Sequence, residues 1–271
     1  MAQGPLQTLG IIAGNGDYPR LLAAAARKAG VARILAAAFT DETDPALAGH
    51  VDVIEWMRVG QLGRLLRFFR ANETHHAIMA GQIAPGNLFD LHPDVKALLL
   101  MAKLKQRNAE SIFTAIADEL AKAEIELLSA TSFLEDALAR PGLIAGPEMS
   151  RREEEDVDLG FRIAREIARL DIGQTVIVKN GTVLAVEAFE GTNDAIKRGG
   201  ALAREGAVMI KVAKPNQDMR FDVPVIGAET IRIGAEARLG IIAVEAEKTL
   251  LLEREAIVDL ANRAKITIIA R

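Results

Sequence analysis

The chain has 271 residues, half of them hydrophobic, and a formal net charge of −4. This hydrophobic fraction is sufficient for one large domain or two smaller ones, and the acidic balance argues against a simple basic nucleic-acid binder. The absence of cysteine excludes disulfides, thiolate metal sites and a cysteine nucleophile. No segment reads as a secretory signal or reaches the ~18 apolar residues of a membrane span, so we expect a cytoplasmic protein.

The first half alternates short apolar runs with amphipathic stretches. Strands separated by helices of this length are typical of parallel βαβ units. We therefore expect an N-terminal domain with a parallel sheet at residues 1–133. Its predicted strands are Thr8–Ala13, Ile34–Phe39, Val51–Trp56, His76–Ala80 and Ile125–Ala130, and its predicted helices are Arg20–Ala29, Gln61–Arg70, Asp94–Leu104 and Ala109–Ala123.

A change of composition marks the end of this domain. The segment Arg140–Ser150 holds two prolines and two glycines, which favours a linker, and we place it at residues 134–150. Ser150 and Glu153 have the spacing of a capping box, which predicts a helix running to about Leu170.

The remaining chain, residues 151–271, is predicted to form a mixed α/β domain. Asn180-Gly181 separates two β-rich runs, and this is the strongest short hairpin signal. The hairpin strands are Thr175–Lys179 and Thr182–Ala188; the other predicted strands are Val208–Val212, Ile241–Glu245 and Ile266–Ala270, and the other helices are Asp194–Arg204, Glu229–Arg238 and Arg254–Ala264.

Glycine turns follow two of the N-terminal strands. Gly14-Asn15-Gly16 separates the first strand from a helix, where backbone N–H groups and the helix N-terminus can face a phosphate. Pro19 occupies the third glycine position, so the dinucleotide fingerprint is incomplete. Gly81-Gln82 follows the fourth strand, at the same sheet edge. A tight turn without any ligand explains either feature equally well.

The segment from Glu187 to Asp194 joins acids to a helix start. An acid at the end of an apolar strand is costly unless it is paired, protonated or bound to a cation. Gly191-Thr192-Asn193 has turn and N-cap composition. A plain helix start explains Thr192 and Asn193 well but explains Glu187 and Glu190 poorly. We therefore favour a site in this segment.

The segment from Lys211 to Pro224 is the most informative. If the chain is extended there, Asp218, Arg220 and Asp222 point the same way, close behind Lys211 and Lys214. Such a group offers a general base or metal ligands, together with cations for phosphate oxygens. The alternative is a solvated loop with surface ion pairs. With no cysteine and four histidines that lack ligand spacing, any metal would be oxygen-ligated, most naturally Mg²⁺.

Two stretches carry cations beside apolar residues. Arg64–Arg70 is basic and amphipathic, and Lys96, Lys103 and Lys105 decorate another apolar helix. Such faces can touch an anionic membrane surface or a lipid. The commoner interpretation, which we favour, is a core-packing helix with solvated cations.

Five motifs in order carry a family resemblance. They are LGIIAGNGDYPRLLA near the start, MAGQI at 79–83, KLKQRN at 103–108, LDIGQTVIVKNGTVLAVEAFEGTN at 170–193 and KVAKPNQDMRFDVPVIG at 211–227. Over nearly its whole length the chain resembles the LpxI-type UDP-2,3-diacylglucosamine pyrophosphatases of lipid A biosynthesis. The resemblance implies Mg²⁺-assisted hydrolysis to UMP and 2,3-diacylglucosamine 1-phosphate. It also implies a Rossmann-like N-terminal domain, a C-terminal domain peculiar to the family, a catalytic cleft between them and a homodimer.

The resemblance also implies roles for particular residues. The aspartate of the family's RFD motif, essential there for catalysis, matches Asp222; the family's glycine turn matches Gly14–Gly16, and its EGT motif matches Glu190–Thr192. We combine these roles with the residue patterns into one expected site. Asp222, Lys214 and Asp218 are the expected catalytic residues; Gly14, Asn15, Gly16, Gly81, Gln82, Gly191, Thr192, Lys211 and Arg220 would bind substrate; Asp222, Glu187 and Glu190 would hold Mg²⁺.

The expected substrate is a lipid-linked UDP-sugar, which allows peripheral contact with the inner membrane surface. Two other functions stay open from the residues. An NAD(P)-dependent oxidoreductase could use the Gly14–Gly16 turn, although the missing third glycine argues against it. A non-catalytic binder of a nucleotide sugar or lipid would need fewer acids and lysines than the chain provides.

Overall fold

A computed structural model describes residues 6–83, 93–105, 109–215 and 217–271, with the backbone alone at 109 and 110. The chain divides into two compact units. The first comprises Met1–Leu134 and Met219–Phe221, and the second comprises Glu135–Asp218 and Asp222–Arg271. Family motifs are thus distributed over both units, and each unit has its own sheet.

The first unit is built on a parallel sheet. Its strands are β1 (Thr8–Ala13), β2 (Arg33–Phe39), β3 (Val53–Met57), β4 (His76–Ala80) and β5 (Glu126–Leu127), and its helices are α1 (Tyr18–Lys28), α2 (Leu62–Ala71), α3 (Val95–Lys103) and α4 (Ala109–Lys122). The strand order is β3-β2-β1-β4-β5, with every pair parallel. The predicted parallel α/β unit is therefore confirmed, and the order reverses between β1 and β4, whose carboxyl ends lie side by side.

Burial on both faces explains why the central strands are apolar throughout. Every residue of β1 from Leu9 to Ala13 is buried, as are Ile34 to Ala38 of β2, as expected for a parallel sheet covered by helices. Helix α2 turns Leu65, Leu66 and Phe69 into this core. The prediction that Arg64–Arg70 belongs to a core-packing helix is confirmed.

The second unit is built on a mixed sheet. Its strands are β6 (Gly142–Ala145), β7 (Thr175–Lys179), β8 (Thr182–Val186), β9 (Ala207–Lys211), β10 (Val225–Ile226), β11 (Leu239–Val244), β12 (Leu250–Leu251) and β13 (Thr267–Ala270). The main sheet has the order β6-β13-β11-β9-β7-β8, while β10 and β12 pair separately. Strands β9, β11 and β13 are parallel, and the strands on either side of them run antiparallel. The predicted mixed α/β unit is confirmed.

Helices cover this sheet too. They are α5 (Arg151–Arg169), α6 (Thr192–Ala203), α7 (Ala228–Glu236) and α8 (Arg254–Ala264). The predicted capping box opens α5, where Ser150 accepts from the Glu153 backbone and Glu153 accepts from the Ser150 backbone. Among the described residues, no helix is long and apolar enough to cross a membrane.

The predicted hairpin is also present. Asn180 and Gly181 have φ of 50° and 72°, the left-handed values that a two-residue hairpin turn requires. The buried carboxylate of Asp156 accepts both of their N–H groups at 2.7 Å. The turn fixes the register of β7 against β8, and this register positions the residues at the other end of the hairpin.

Candidate active site

Three strands bring polar residues together at one end of the second sheet. β7 is antiparallel to both of its neighbours, so its first residue, Thr175, lies opposite the last residue of β9, Lys211. On the other side Glu187 follows the end of β8 and donates its N–H to the Thr175 carbonyl at 2.8 Å. Cross-strand neighbours share a face, and the register therefore places Glu187 and Lys211 on either side of Thr175.

A hydrogen-bonded chain links these residues to the start of α6. The ammonium of Lys211 donates to Thr192 Oγ1 at 2.7 Å, and this hydroxyl donates to Glu187 Oε1 at 2.8 Å. The backbone N–H of Gln174 donates to the other Glu187 oxygen at 3.3 Å. Glu187 and Lys211 are 9% and 8% exposed. Buried charged groups require hydrogen-bond partners, and these contacts provide them.

Asp222 completes this cluster. Its Oδ2 lies 3.5 Å from the side-chain nitrogen of Gln174, the residue whose backbone binds Glu187. Burial lowers the pKa of Lys211, while the carboxylates of Glu187 and Asp222 act in the opposite direction. The cluster thus contains a buried cation and two acids that attract it, of which the half-buried Asp222 is the more accessible.

The segment from Asp218 to Asp222 is not extended, so the condition for Asp218, Arg220 and Asp222 to point the same way is not met. The Asp222 N–H donates to the Asp218 carbonyl at 3.0 Å and closes a turn, so side chains do not alternate there and Arg220 does not share one direction with its two acidic neighbours. Packing within the first unit explains the bend. Phe221 stacks against Phe113 with ring centroids 5.5 Å apart, and the Met219 carbonyl accepts the Ala130 N–H at 2.7 Å.

The other residues expected in this segment have partners of their own. Lys214 forms an ion pair with Asp171 through its ammonium, and its backbone N–H donates to the side chain of Gln217 at 2.6 Å. The guanidinium of Arg220 lies 5.9 Å from the ring centroid of Phe221. None of these contacts joins Lys214 or Arg220 to the cluster of Lys211.

Glu190 and Glu187 lie close in sequence but have different partners, and Glu190 contacts residues outside the Lys211 cluster. It accepts the Ala188 N–H at 3.1 Å and forms an ion pair with Arg198 of α6. Backbone N–H groups and the Arg198 guanidinium hold the pKa of Glu190 below its usual value. Gly191 precedes α6 with φ of +86° and supplies no capping side chain. Thr192 is the first residue of the helix.

The carboxylates near Lys211 can be compared with what the expected magnesium site requires. In the described part of the chain no three Asp, Glu or His side chains form a group that could hold a metal ion. Glu187 is bonded to Gln174 and Thr192, and Glu190 to Arg198. A cage of three carboxylates does not fit this arrangement. Mg²⁺ also binds proteins through one or two carboxylates together with substrate phosphates, and Asp222 fits that mode.

The glycine turns of the first unit pack against each other. The Gly14 N–H donates to the Ala80 carbonyl at 2.8 Å, and the Asn15 N–H donates to the Gln82 carbonyl at 2.7 Å. A Cβ on Gly14 would lie 2.4 Å from the Gln82 oxygen, and one on Gly81 would lie 2.5 Å from the Asn15 oxygen. Close backbone packing thus accounts for both glycines without a ligand.

Gly16 differs from these two glycines. It has φ of +82°, and a Cβ added there would meet no atom within 4 Å. The side chain of Asp17, the N-cap of α1, binds Arg20 at 3.0 Å and makes no capping hydrogen bond. Asn15 donates to the buried Glu42 at 3.2 Å. The open surface of this turn is therefore at Gly16, directly before α1.

Sequence reasoning missed Gln174 and Gly173. Gln174 connects Glu187 to Asp222, and a Cβ on Gly173 would lie 2.0 Å from the Glu187 carbonyl oxygen. The hairpin register contained a signal for them. A turn at Asn180-Gly181 places residues just before β7 opposite those just after β8. Because Glu187 was already a candidate site residue, the hairpin register makes Gln174 a candidate as well.

The fold and the cluster define a class: a two-unit α/β protein with a buried lysine and two acids clustered at one end of the second sheet. Residues 8–137 match the LpxI N-terminal domain, and residues 140–269 match the LpxI C-terminal domain. A relative from Caulobacter vibrioides, named UDP-2,3-diacylglucosamine pyrophosphatase LpxI, is 31% identical over 274 residues, which cover 95% of each chain. The chain belongs to the LpxI family, as its motifs predict.

Proposed function

We propose that this protein hydrolyses UDP-2,3-diacylglucosamine to UMP and 2,3-diacylglucosamine 1-phosphate, as a step of lipid A biosynthesis. Family membership and the name of the Caulobacter relative support this activity. The observation that carries the proposal is the cluster of Glu187, Thr192 and Lys211 beside Asp222. The cluster places a half-buried carboxylate, that of Asp222, near a buried cation, and such a carboxylate can act as a general base.

The reaction adds water to one phosphorus and breaks its bond to the bridging oxygen. A positioned base that takes the proton of the water helps this attack, and cations offset the phosphate charge. We assign the base role to Asp222, because it is the more accessible of the two acids beside Lys211. The proton of the attacking water passes to the Asp222 carboxylate.

Lys211 acts through Asp222 in this proposal. Its ammonium is buried and already bonded to Thr192, which argues against direct contact with substrate. Lys211 is therefore a positioning residue. Its charge attracts the carboxylates of Glu187 and Asp222, and Thr192 and Glu187 fix the position of the ammonium.

Asp222 is the residue that would hold Mg²⁺ in this proposal, in the mode in which the ion uses one or two carboxylates and substrate phosphates. When bound, the ion neutralises phosphate charge and orients the diphosphate. Glu187 and Glu190 have hydrogen-bond partners that suit structural roles, so we propose that Asp222 is the principal protein ligand. The first-turn N–H groups of α6, which begins after Gly191, provide a second place for a phosphate oxygen.

In the first unit we propose that Gly16 and the start of α1 bind the nucleotide part of the substrate. The open surface at Gly16 and the absence of a side-chain cap from Asp17 support this role. The packing of Gly14 against Gln82 supports a structural role for the remaining turn residues.

We also propose that the protein forms a homodimer. Light scattering during gel filtration tests this proposal.

The decisive experiment incubates the purified protein with UDP-2,3-diacylglucosamine and Mg²⁺ and measures UMP and the lipid phosphate. We expect both products in equal amounts, loss of turnover with EDTA and recovery with added Mg²⁺. Reaction in ¹⁸O-labelled water identifies the phosphorus attacked, since the label enters only one product. Substrate that stays intact would reject the pyrophosphatase, and turnover unaffected by EDTA would reject the metal.

A further inference from the structure

Helix α3 presents apolar side chains to the outside of the first unit. Val95, Leu98 and Leu99 are 73%, 54% and 60% exposed. Their spacing places them on one helical face, which the exposed Ala102 continues. Among the described residues of this unit, these three are the large hydrophobic side chains that lie exposed. The exposed apolar surface of the unit is therefore concentrated on this one face.

The helix is held with this face outward. Ala97, on the opposite side, is buried, and Leu100 packs against the core. Asp94 caps the helix by accepting the Ala97 N–H at 2.9 Å and also accepts the Gly63 N–H of α2 at 2.6 Å. Lys96 forms an ion pair with Glu119 of α4 at 2.7 Å. Contacts to two neighbouring helices thus fix its orientation.

Positive charge lies at the C-terminal end of the apolar face. Residues 95–105 include Lys96, Lys103 and Lys105 and no acidic residue, and all three lysines are exposed. A symmetric contact between two copies would bring Lys103 and Lys105 of one copy towards the same lysines of the other, with no acidic residue of 95–105 beside them. An anionic lipid surface instead attracts the lysines and accepts apolar side chains at the headgroup boundary.

We propose that the face of α3 formed by Val95, Leu98, Leu99 and Ala102, with Lys103 and Lys105 beside it, docks onto an anionic lipid bilayer. The apolar side chains enter the headgroup boundary, and the lysines remain among the lipid phosphates. The proposal rests on the proposed function in one respect: a substrate with two acyl chains resides in a bilayer, and a docked enzyme can reach it there.

Flotation of the full chain with vesicles tests this surface. We expect the protein to float with phosphatidylglycerol-containing vesicles and to bind phosphatidylcholine vesicles more weakly. The double variant Leu98→Ser with Leu99→Ser should lower the partition coefficient by about thirty-fold, because each leucine loses most of its burial contribution. Leu170→Ser with Leu202→Ser, at positions 57% and 63% exposed in the second unit, is the matched control and should float normally.

A second variant separates charge from apolar contact. Lys103→Gln with Lys105→Gln should weaken flotation on phosphatidylglycerol-containing vesicles alone, and added salt should remove the difference from the wild type. The lysine variant also allows the docking surface to be tested if the leucine variant does not fold. Wild-type protein that stays unbound, or equal loss in the control variant, would overturn the proposal. So would a fall in oligomer mass in the leucine variant with normal flotation, which would assign the face to a second copy.

Turnover on detergent-dispersed substrate distinguishes this proposal from the proposed function. The leucine variant should hydrolyse dispersed UDP-2,3-diacylglucosamine as fast as the wild type, and should be slower only on substrate embedded in vesicles. Wild-type protein that floats but hydrolyses neither form would reject the proposed activity and leave the docking surface standing. Equal rates for variant and wild type on vesicle-embedded substrate would reject its use in catalysis.

Discussion

Two glycine turns in this molecule lead into helices, and their surroundings differ. In the first unit Gly14–Gly16 precedes α1, and its backbone packs against the segment after β4. In the second unit Gly191 precedes α6, whose first residue lies between a buried lysine and a buried glutamate. Both turns have the composition of a phosphate-binding loop.

The comparison teaches where functional information resides. At the first turn, chain packing accounts for Gly14, and the nearby polar side chains bond to each other. At the second turn, the side chains of Thr192, Glu187 and Lys211 form a network that a helix start alone does not need. Glycine spacing marks a turn, whereas charged neighbours that remain buried indicate chemistry. Substitutions that remove the charged network of the second turn, or the backbone packing of the first, therefore test the role of each turn.

The largest expected effect is at the acid beside the second turn. Replacing Asp222 with Ala should lower kcat by about a thousand-fold or more, because the reaction loses its base and the ligand for Mg²⁺. The melting temperature should change little, since Asp222 is only half-buried. UMP release and thermal unfolding are the measurements. Turnover within ten-fold of wild type would remove Asp222 from the mechanism.

The next effect concerns the buried cation. Lys211→Met should lower kcat by about a hundred-fold and destabilise the fold by about 3 kcal/mol, because Thr192 loses its donor and the charges of Glu187 and Asp222 lose the cation that attracts them. The double variant with Glu187→Gln removes one excess charge and should recover about 2 kcal/mol, while kcat stays low. Denaturant unfolding and steady-state kinetics separate these results.

Lys179→Met provides the control for this pair. Lys179 lies on the same sheet, and its ammonium binds the Ala203 carbonyl at 3.0 Å and the Glu205 carbonyl. The substitution should leave kcat unchanged. If Lys179→Met and Lys211→Met reduced kcat equally, the loss would reflect damage to the sheet, and the role of Lys211 as a positioning residue would be wrong.

A smaller, purely structural effect is expected at the first turn. A methyl group on Gly14 would lie 2.4 Å from a backbone oxygen, which cannot move without displacing the chain after β4. Gly14→Ala should therefore destabilise the first unit by about 3 kcal/mol, with or without ligand. Calorimetry is the measurement. Normal stability would show that the packing of the two glycine turns is not required.

Local pattern predicted much of the fold. The Asn180-Gly181 turn, the capping box at Ser150 and the strands of the first unit are set by residues close in sequence, and the structure contains all of them. The course of 218–222 was not predictable in this way. Its bend depends on Phe113 and Ala130, which lie about ninety residues or more away in sequence, and no local pattern records such a contact.

The candidate site divides along the same line. Glu187 was recognisable because an acid ends an apolar strand, but its partner Gln174 is visible only once the hairpin register is known. The exposed face of helix α3 was not predictable for a related reason. Its sequence favours a core helix, and the exposure of Leu98 and Leu99 depends on which face the neighbouring helices occupy. Periodicity specifies two faces of a helix and leaves open which of them is covered.

The smallest effect tests whether the first turn binds a ligand at all. Gly16 and Gly181 both have positive φ, +82° and +72°, and a Cβ on either would meet no atom within 4 Å. Alanine at each position should therefore cost a similar backbone strain of about 1 kcal/mol. If a phosphate of the substrate lies against Gly16, Gly16→Ala alone should raise KM, by about five-fold, with kcat unchanged. Equal KM values for the two variants would assign the Gly14–Gly16 turn to chain packing and leave the charged cluster of the second unit as the part of the site with support.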